Sequence, residues 1–488
     1  MTSDAPVPCL ATRELRRSGR HLSTPFRVRG ADGEVITLLR LLRVLPGRRL
    51  SGEALRRDEC VLAKLFVGWG SRRYCVRERR GIALLRDAGL PTPEEAGAGR
   101  LDGGGHFLLT AFLDGSRTSA DLWSAVENPS PDDTQALDAL CPVFALTGRL
   151  HAAGLLQNDP HLANFLEHKG VLHLIDGDGV ARMRGGAAAR ARQALANLAL
   201  LFAQLPLAWA ACDSGMDALL GAYVSDGTRP PPDRQILRQA IERAREKRLA
   251  HFLDKTLRDC SQFAVRRTFR RFSSIVRDEA ETLGALLKSR EALDEAIRAG
   301  ALLKDGNTCT VARIDANGRA LAVKRYNLKN PRHALSRCWR PSRAWRAWLS
   351  GHRLAFFGIP TPAPLALVEE RAGPLRRRAF LLTEFCAGEN LLQRFSSGRA
   401  PDAAEAAAIT SLFNALHRRR ITHGDMKATN FLWHENRLAI IDLDAMVQHG
   451  GDVAFARGWR RDRARFLRNW PADSALHRWL DAHLPEAR

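Results

Sequence analysis

The chain contains one pattern twice, as THGDMKATNFLWHENRLAIID (residues 422–442) and as QNDPHLANFLEHKGVLHLID (residues 157–176). Each copy has an aspartate, an asparagine five residues later and a second aspartate twelve residues beyond that, with a histidine eight residues before the first aspartate. The matched residues are His151, Asp159, Asn164 and Asp176 in the first copy and His417, Asp425, Asn430 and Asp442 in the second. All four positions differ by 266 residues, which indicates that a longer unit is duplicated.

The repeat extends upstream of this pattern. GLPTP at 89–93 returns as GIPTP at 358–362, and FLLTAF at 107–112 returns as FLLTEF at 380–385. The order of the blocks is the same in both halves while their spacing drifts slightly. A period this long indicates a domain duplication rather than a short-repeat solenoid.

Each copy is expected to have strands first and helices afterwards, which makes the fold class α+β. The expected strands are 60–66 and 107–112 in the first copy and 320–326 and 380–385 in the second; the expected helices are 77–88, 134–152, 342–357 and 403–417. We expect two domains, 1–258 and 259–488. The boundary near 255–265 has an alternative at the proline cluster 230–232, since three prolines cannot continue a helix.

Charge is the unusual bulk property. The 488 residues include 75 Lys and Arg against 53 Asp and Glu, a formal net charge of +22 and a pI near 10.6. Such an excess favours contact with nucleic acid, an anionic membrane face or an acidic substrate, and composition does not choose among them. The chain shows no recognisable nucleic-acid-binding motif, so that partner is disfavoured.

Cysteines and apolar runs bear on location. The nine cysteines form no C-x-x-C pair, which disfavours a disulfide framework and favours a reduced, cytosolic setting. The first twenty residues lack the apolar core of a secretory signal. The uncharged segment 194–212 is nearly long enough to span a bilayer, but its polar residues and Pro206 favour a buried helix.

The second copy has the groups that phosphoryl transfer requires, namely an oriented acceptor hydroxyl and a metal held against the phosphates. Asp425 is placed to accept the hydroxyl proton, and Lys427 to meet the transferred phosphate. Asn430 and Asp442 offer the oxygen ligands that Mg²⁺ prefers. The apolar run before Asp442 predicts a strand that fixes this aspartate.

A lysine precedes the pattern in each copy. Lys64 and Lys324 lie in apolar, strand-like runs, where a charged side chain requires an anionic partner. Glu78, on the following helix, is a candidate partner for Lys64. The corresponding residue of the second copy is Ala347, which leaves the positioning of Lys324 open.

With VLAK, GLPTP, FLLTAF, NDPHLANFL and LID in the first copy, and AVKRY, GIPTP, FLLTEF, HGDMKATNFL and IID in the second, the chain resembles a tandem member of the bacterial lipopolysaccharide core heptose/Kdo kinase family, of the protein-kinase-like superfamily. The matched blocks cover roughly residues 60–180 and 300–445. The resemblance implies two bilobal kinase-like domains, each with a small β-rich lobe and a helical lobe. It also implies an ATP- and Mg²⁺-dependent enzyme that phosphorylates a sugar hydroxyl, expected to be a heptose of the lipopolysaccharide inner core.

The family's roles carry over to the matching positions. Asp159 and Asp425 would be catalytic bases; Lys64, Glu78 and Lys324 would serve nucleotide binding; Asn164, Asp176, Asn430 and Asp442 would be metal ligands. The implied partners are a lipopolysaccharide core or lipid-linked sugar acceptor and the anionic inner-membrane surface, with the protein cytoplasmic and membrane-peripheral.

Two departures and one extra feature leave alternatives open. The first copy has Gln157-Asn158-Asp159 where the family has His-Gly-Asp, and the second lacks the helix glutamate. One or both halves could therefore be pseudokinase scaffolds, and a protein or another small molecule could be the acceptor. A basic stretch with three tryptophans, 332–348, could grip an acidic acceptor or be a solvated face.

Overall fold

The computed structural model describes residues 7–20, 22–127, 129–227, 230–327 and 338–486. The chain divides into two compact units, Met1–Arg248 and Leu249–Arg488. The division falls inside the helix Arg234–Lys255, whereas the sequence predicted a boundary at 258/259. Each unit has an antiparallel sheet followed by a mainly helical part, and the α+β prediction is confirmed.

The sheet of the first unit is built around the strand that holds Lys64. Its strands are β1 (Phe26–Arg29), β2 (Val35–Leu45), β3 (Arg49–Arg56), β4 (Glu59–Phe66), β5 (Glu95–Arg100) and β6 (His106–Ala111), in the spatial order β1-β2-β3-β4-β6-β5. Along β4, Val61, Ala63 and Leu65 are buried on one face. Lys64 therefore lies on the opposite face, as the two-residue period of a strand requires.

Helices and short strands make up the rest of this unit. The helices are α1 (Thr12–Arg17), α2 (Ser71–Asp87), α3 (Ser119–Ser124), α4 (Thr134–Ala152), α5 (Ala187–Phe202), α6 (Leu207–Ala211), α7 (Asp213–Tyr223) and α8 (Arg234–Lys255). The short strands are β7 (Arg117–Thr118), β8 (Leu155–Gln157), β9 (Phe165–His168), β10 (Val171–Leu174) and β11 (Val180–Arg182). Helix α4 begins as predicted because the Asp133 side chain accepts hydrogen bonds from the backbone N–H groups of Gln135 and Ala136.

The uncharged segment 194–212 is partly buried, with residues 196, 206, 208 and 211 exposed, and it is not the single buried helix that the sequence favoured. It contains the end of α5 and all of α6, separated by residues 203–206. Phe202 and Trp209 are fully buried in the core of the unit. In the part of the chain that the structure describes, no helix is long and apolar enough to span a membrane.

The second unit has a seven-stranded antiparallel sheet. Its strands are β12 (Phe263–Arg267), β13 (Arg271–Val276), β14 (Ala301–Gly306), β15 (Cys309–Ala316), β16 (Arg319–Tyr326), β17 (Pro364–Ala372) and β18 (Leu375–Glu384), in the spatial order β12-β13-β17-β18-β16-β15-β14. Lys324 lies on β16, which pairs with β15 on one side and β18 on the other. The strands β12 and β13 were not anticipated from the sequence.

The remaining elements of the second unit follow the order seen in the first. The helices are α9 (Arg290–Ala299), α10 (Arg343–Phe356), α11 (Leu391–Arg394), α12 (Ala403–Arg418), α13 (Asp452–Leu467) and α14 (Ala475–His483). The short strands are β19 (Glu389–Asn390), β20 (Ile421–Thr422), β21 (Phe431–His434), β22 (Arg437–Ile440) and β23 (Val447–Gln448). The helix predicted at 403–417 is confirmed to within one residue.

Five strands have the same arrangement in the two sheets. The order β2-β3-β4-β6-β5 of the first unit corresponds to β14-β15-β16-β18-β17 of the second. Even an irregularity is shared, because the register shifts between Leu41 and Arg43 in β2 and between Leu302 and Lys304 in β14. The additional strands differ, since β1 extends one edge of the first sheet and β12–β13 extend the other edge of the second.

His352 on α10 shows how tightly the second unit packs this helix. The side chain is 6% exposed, and its ring lies edge-on to Trp348 and Phe263 with centroids 4.2 and 5.2 Å away. Burial lowers the pKa of His352 to about 3. The histidine therefore remains neutral in the folded protein at mildly acidic pH.

Replacing His352 with leucine should flatten the pH dependence of stability in mild acid. Between about pH 6 and pH 3 the unfolded wild type binds a proton at His352 that the folded state does not. This histidine therefore lowers the unfolding free energy by about 1.4 kcal/mol for each unit by which the pH is decreased. Urea unfolding of the full chain at several pH values measures this slope. His477→Leu is the control, and equal slopes for wild type and His352→Leu would contradict the prediction.

Candidate active site

The loop that holds Asp425 is closed by its own asparagine. Asn430 Nδ2 donates to the backbone carbonyl of Asp425 at 2.9 Å, and the N–H of Ile441 donates to the carbonyl of Asn430, also at 2.9 Å. The first bond spans the five-residue spacing, and the second connects the loop to the end of the β21–β22 hairpin. The spacing seen in the sequence therefore has a local structural cause.

The aspartate that ends the pattern has an unusual backbone. Asp442 and Asp176 have φ angles of 62° and 66°, in the left-handed region that few residues other than glycine occupy. Each is followed by a short 3₁₀ turn, 443–445 or 177–179. Strain of this kind persists only where surrounding contacts hold it, and it is concentrated at functional sites.

In the second unit this aspartate meets the strand lysine. Lys324 Nζ forms an ion pair with Asp442 Oδ1 and lies 3.6 Å from Asp444 Oδ2. Burial alone would raise the pKa of Asp442, but the charge of Lys324 outweighs it, and the pKa is below its ordinary value. Burial lowers the pKa of Lys324, and the nearby Tyr326, Asp442 and Asp444 more than compensate, so this pKa is raised. Both groups are therefore charged at neutral pH.

Asp425 lies between two cations. Lys427 Nζ is 3.0 Å from its Oδ2, and Arg465 Nη1 on α13 is 3.0 Å from its Oδ1. The Asp425 side chain is 32% exposed, so it is partly accessible from solvent. The sequence predicted Lys427 here and missed Arg465, which is forty residues further along the chain.

A buried carboxylate anchors this loop from α13. Asp462, 4% exposed, accepts hydrogen bonds from the backbone N–H groups of His423 (2.6 Å) and Gly424 (3.1 Å). His423 Nε2 lies 2.9 Å from the carbonyl of Ile441, which fixes the loop to the residue before Asp442. Burial raises the pKa of Asp462.

In the first unit the loop has the same closure. Asn164 Nδ2 donates to the carbonyl of Asp159 at 2.8 Å, and Ile175 N–H donates to the carbonyl of Asn164 at 2.9 Å. Gln157, in the position of His423, donates from Nε2 to the carbonyl of Asp176 at 3.1 Å. The glutamine thus also connects the two loops, although its acceptor is the carbonyl of the aspartate itself, whereas His423 meets the carbonyl one residue earlier.

The lysine of the first unit meets the predicted glutamate. Lys64 Nζ forms an ion pair with Glu78 Oε1, lies 3.5 Å from Asp176 Oδ1, and is joined by Arg49, whose Nη1 is 3.7 Å from both carboxylates. Glu78 is fully buried and also accepts from the N–H of Gly177 at 3.1 Å. Burial raises the pKa of Glu78, partly opposed by Lys64. The structure therefore brings Lys64 together with Glu78, its candidate partner, and also with Asp176, which was expected only as a metal ligand.

A cavity of about 460 Å³ lies against Lys324 and Asp442 in the second unit. Its walls include the apolar residues Leu303, Val311, Ala322, Leu381 and Leu432 and the polar residues Thr383, Asn430, Asp442 and Lys324. A largely apolar cavity with a few convergent polar groups is typical of a small-molecule site.

Strand register identifies the first unit's counterparts of this lining. Val311 pairs with Lys324 and Ser51 pairs with Lys64, so Cys309 corresponds to Arg49 and Ala322 to Leu62. Two small positions of the second unit are thus occupied by larger side chains in the first.

The basic stretch 332–348 separates into different environments. Residues 332, 333 and 337 lie outside the described residues. Trp348 is fully buried and Arg343 reaches Asp444, whereas Trp339 is 70% exposed. In its described part, the stretch is therefore neither one continuous acceptor-binding surface nor one continuous solvated face.

Besides Arg465, sequence reasoning missed Arg49, Asp444 and Asp462, and it considered Arg343 only as part of the basic stretch 332–348. Asp444 had a signal, because 442–444 and 176–178 share an Asp-x-Asp pattern. The other three come from distant elements and have no spacing rule.

Comparison with known proteins gives one family. Residues 296–462 match the sequence model described as the Lipopolysaccharide kinase (Kdo/WaaP) family. The predicted resemblance is confirmed for this segment, which contains all the predicted site residues of the second unit, and it supports a phosphotransferase function. No curated protein sequence matches the chain.

Two solved structures are also similar to this chain. "WaaP in complex with acyl carrier protein" is 21% identical, with 43% of this chain and 88% of that chain covered and a TM-score of 0.32. "Structure of vaccinia related kinase 3" is 13% identical, with 48% of this chain and 94% of that chain covered and a TM-score of 0.29.

Removing the buried anchor should loosen the loop of the second unit. Asp462→Ala leaves the N–H groups of His423 and Gly424 without their acceptor, at a cost of about 1–3 kcal/mol for the buried donor of His423. Thermal and urea unfolding of the full chain measure the loss. The exposed Asp473→Ala is the control, and an Asp462→Ala protein as stable as that control would refute the anchoring role.

Proposed function

We propose that this protein is an ATP- and Mg²⁺-dependent kinase that phosphorylates a sugar hydroxyl, expected to be a heptose, of the lipopolysaccharide inner core. One observation carries the proposal. Lys324, Asn430 and Asp442 converge on one cavity, with Asp425 on the same loop, inside the segment that matches the lipopolysaccharide kinase family. We also propose that both units are kinase-like domains in tandem.

The cavity of the second unit would hold the nucleotide. Its apolar walls suit a purine base, and Lys324, charged and held at the cavity wall, suits the phosphates. Its charge would stabilise the negative charge of the nucleotide without any rearrangement, because Asp442 and Asp444 already fix the ammonium group.

Mg²⁺ fits the oxygen groups at the cavity. The amide nitrogen of Asn430 is used within the loop, so the atom that it would offer is Oδ1, together with the carboxylate of Asp442, which lines the same cavity. Among the described residues, no cluster of three or more His, Cys, Asp or Glu side chains could hold a metal. Mg²⁺ in phosphoryl-transfer sites is held by one or two protein carboxylates together with water and substrate phosphates. When bound, the ion would neutralise phosphate charge. In the first unit, Asn164 and Asp176 occupy the matching positions.

Asp425 would accept the proton of the sugar hydroxyl. Lys427 and Arg465 fix its carboxylate from two sides, which holds the base in one orientation for an incoming hydroxyl. Lys427 would then be placed near the transferred phosphoryl group. The acceptor would be a lipopolysaccharide core or lipid-linked sugar, and a protein or other small-molecule acceptor is the rival within the same fold.

A specific observation favours a second role for the first unit. There, Arg49 and Leu62 replace the small Cys309 and Ala322 of the nucleotide cavity, and Arg49 is already paired with Glu78 and Asp176. We propose that the first unit contributes little phosphoryl transfer and acts as a pseudokinase-like regulator of the second. Asp159 would then be dispensable for turnover.

Neutralising each base separates these roles. Asp425→Asn should reduce ATP-dependent phosphorylation of core sugar by about 10²- to 10⁴-fold, the usual effect of losing a general base. Asp159→Asn should leave it nearly unchanged, and the double variant should behave like Asp425→Asn. A double variant as active as wild type would refute the catalytic assignment.

The same variants test the acceptor in cells. Mass spectrometry of the lipopolysaccharide core from a strain lacking this protein should show a core with one phosphate fewer, restored by wild type and not by Asp425→Asn. An unchanged core would exclude the lipopolysaccharide acceptor.

We further propose that the protein is cytoplasmic and peripheral to the inner membrane, because its net charge of +22 favours an anionic surface. The full chain should sediment with vesicles containing anionic phospholipid and not with neutral vesicles. The bound fraction should fall as salt is raised, since screening weakens such contacts. Equal binding to both vesicle types would contradict an electrostatic attachment.

A further inference from the structure

The second unit lacks the helix carboxylate that positions the lysine in the first. In the first unit, Glu78 on α2 binds Lys64 directly and also accepts from Gly177 N–H, so one carboxylate ties the helix to both strand and loop. Ala347 occupies the corresponding position on α10, and it is buried beside the cavity. An alanine cannot orient an ammonium group, so any connection between this helix and Lys324 has to come from another residue.

Arg343, one helical turn before Ala347, makes that connection. Its Nη2 is 2.7 Å from Asp444 Oδ2, and the same oxygen is 3.6 Å from Lys324 Nζ. Residues four apart lie on the same face of a helix, so Arg343 and Ala347 both face the site. The Asp444 side chain is only 7% exposed, and a carboxylate so buried requires compensating charge.

An aromatic ring completes the arrangement. Lys324 Nζ and the Arg343 guanidinium lie 4.9 and 5.3 Å from the centre of the Tyr326 ring, which is 5% exposed. Cations within about 6 Å of a ring face are attracted to it. The two cations that lie beside the Asp444 carboxylate thus also share one aromatic ring.

The beginning of α10 is itself fixed, which makes Arg343 a firm attachment point. Arg343 is the first residue of the helix, and Ser342 caps it by accepting from the N–H of Trp345 at 3.0 Å. The Ser342 hydroxyl donates to the buried Glu369 at 2.5 Å. Movement of this end of the helix would therefore be transmitted to Asp444.

The first unit uses its arginine differently. Arg77 on α2 pairs with Asp178, the counterpart of Asp444, with Nη2 2.7 Å from Oδ2, but the Arg77 side chain is 47% exposed. Glu78, the next residue along the helix, is the one that binds the lysine. In the second unit, by contrast, the helix arginine holds an aspartate that faces the lysine.

We propose that Arg343 is a positioning residue that replaces the missing helix glutamate by reversing the order of charges. In the first unit the helix supplies the anion and the lysine binds it. In the second unit the helix supplies a cation, which holds Asp444, and Asp444 together with Asp442 holds Lys324. This inference rests on the proposed function, since it assigns Lys324 to the nucleotide phosphates.

Removing Arg343 should weaken nucleotide use without unfolding the protein. Arg343→Ala should lower kcat/KM for ATP by about 10- to 100-fold, the usual effect of losing a group that orients a ligand-binding residue. Arg343→Lys should retain most of the activity because it keeps a cation in reach of Asp444. Arg298→Ala removes an exposed helix arginine and is the matched control.

Restoring activity with a helix glutamate, as the first unit has, distinguishes a positioning role of Arg343 from a purely structural one. Adding Ala347→Glu to Arg343→Ala supplies a helix carboxylate in the place that Glu78 has in the first unit. This double variant should recover part of the lost kcat/KM at unchanged melting temperature. The inference is overturned if Arg343→Ala has wild-type kinetics. It is also overturned if a fall in melting temperature accounts for the loss and neither the Arg343→Lys variant nor the double variant has restored activity.

Two measurements distinguish this failure from failure of the proposed function. Mg·ATP binding and turnover by wild type and by Lys324→Met are measured first. If the wild type neither binds nor turns over Mg·ATP, the proposed function is overturned and this inference with it. The same follows if Lys324→Met binds and turns over Mg·ATP as well as the wild type does. If the wild type binds and turns over Mg·ATP and Arg343→Ala has the same kcat/KM as the wild type, only the inference is overturned.

Discussion

The ion pair between a strand lysine and the aspartate after a hairpin is the constraint on which each unit depends. Lys324 and Asp442 are 118 residues apart, and Lys64 and Asp176 are 112 apart, so each pair joins the sheet part of its unit to the helical part. The charges are largely buried, and a buried ion pair is favourable only when its surroundings are well ordered. The left-handed aspartate, the asparagine-closed loop and the anchored helix all provide that order.

The two units meet this constraint with different chemistry. The first uses a buried glutamate on the helix, and the second uses an arginine on the helix and a second aspartate on the loop. A position-by-position comparison of the two units would predict that Lys324 is poorly positioned, because Ala347 replaces the glutamate. The geometry of the charged cluster shows instead that Lys324 has two anionic partners.

Comparison of the cavity lining in the two units supports different proposed roles for them. The second unit combines its cluster with a cavity of about 460 Å³, and it contains the segment that matches the lipopolysaccharide kinase family. The first unit keeps the loop closure but places Arg49 and Leu62 where the second has small residues. A site that keeps its charged residues can still leave less room for a ligand when larger side chains occupy the lining positions.

The sequence by itself determined the α+β class, several of the main helices and strands, the repeated blocks and the spacing of the loop pattern. These features depend on local periods and on hydrogen bonds between residues five to twelve apart, such as Asn430 with Asp425, so they leave a readable spacing. The tertiary structure decided the partners of those residues. Arg343 meets Asp444 from 101 residues away, and Asp462, on α13, holds the loop at His423. Such contacts depend on how separate elements pack, and no local pattern in the chain encodes them.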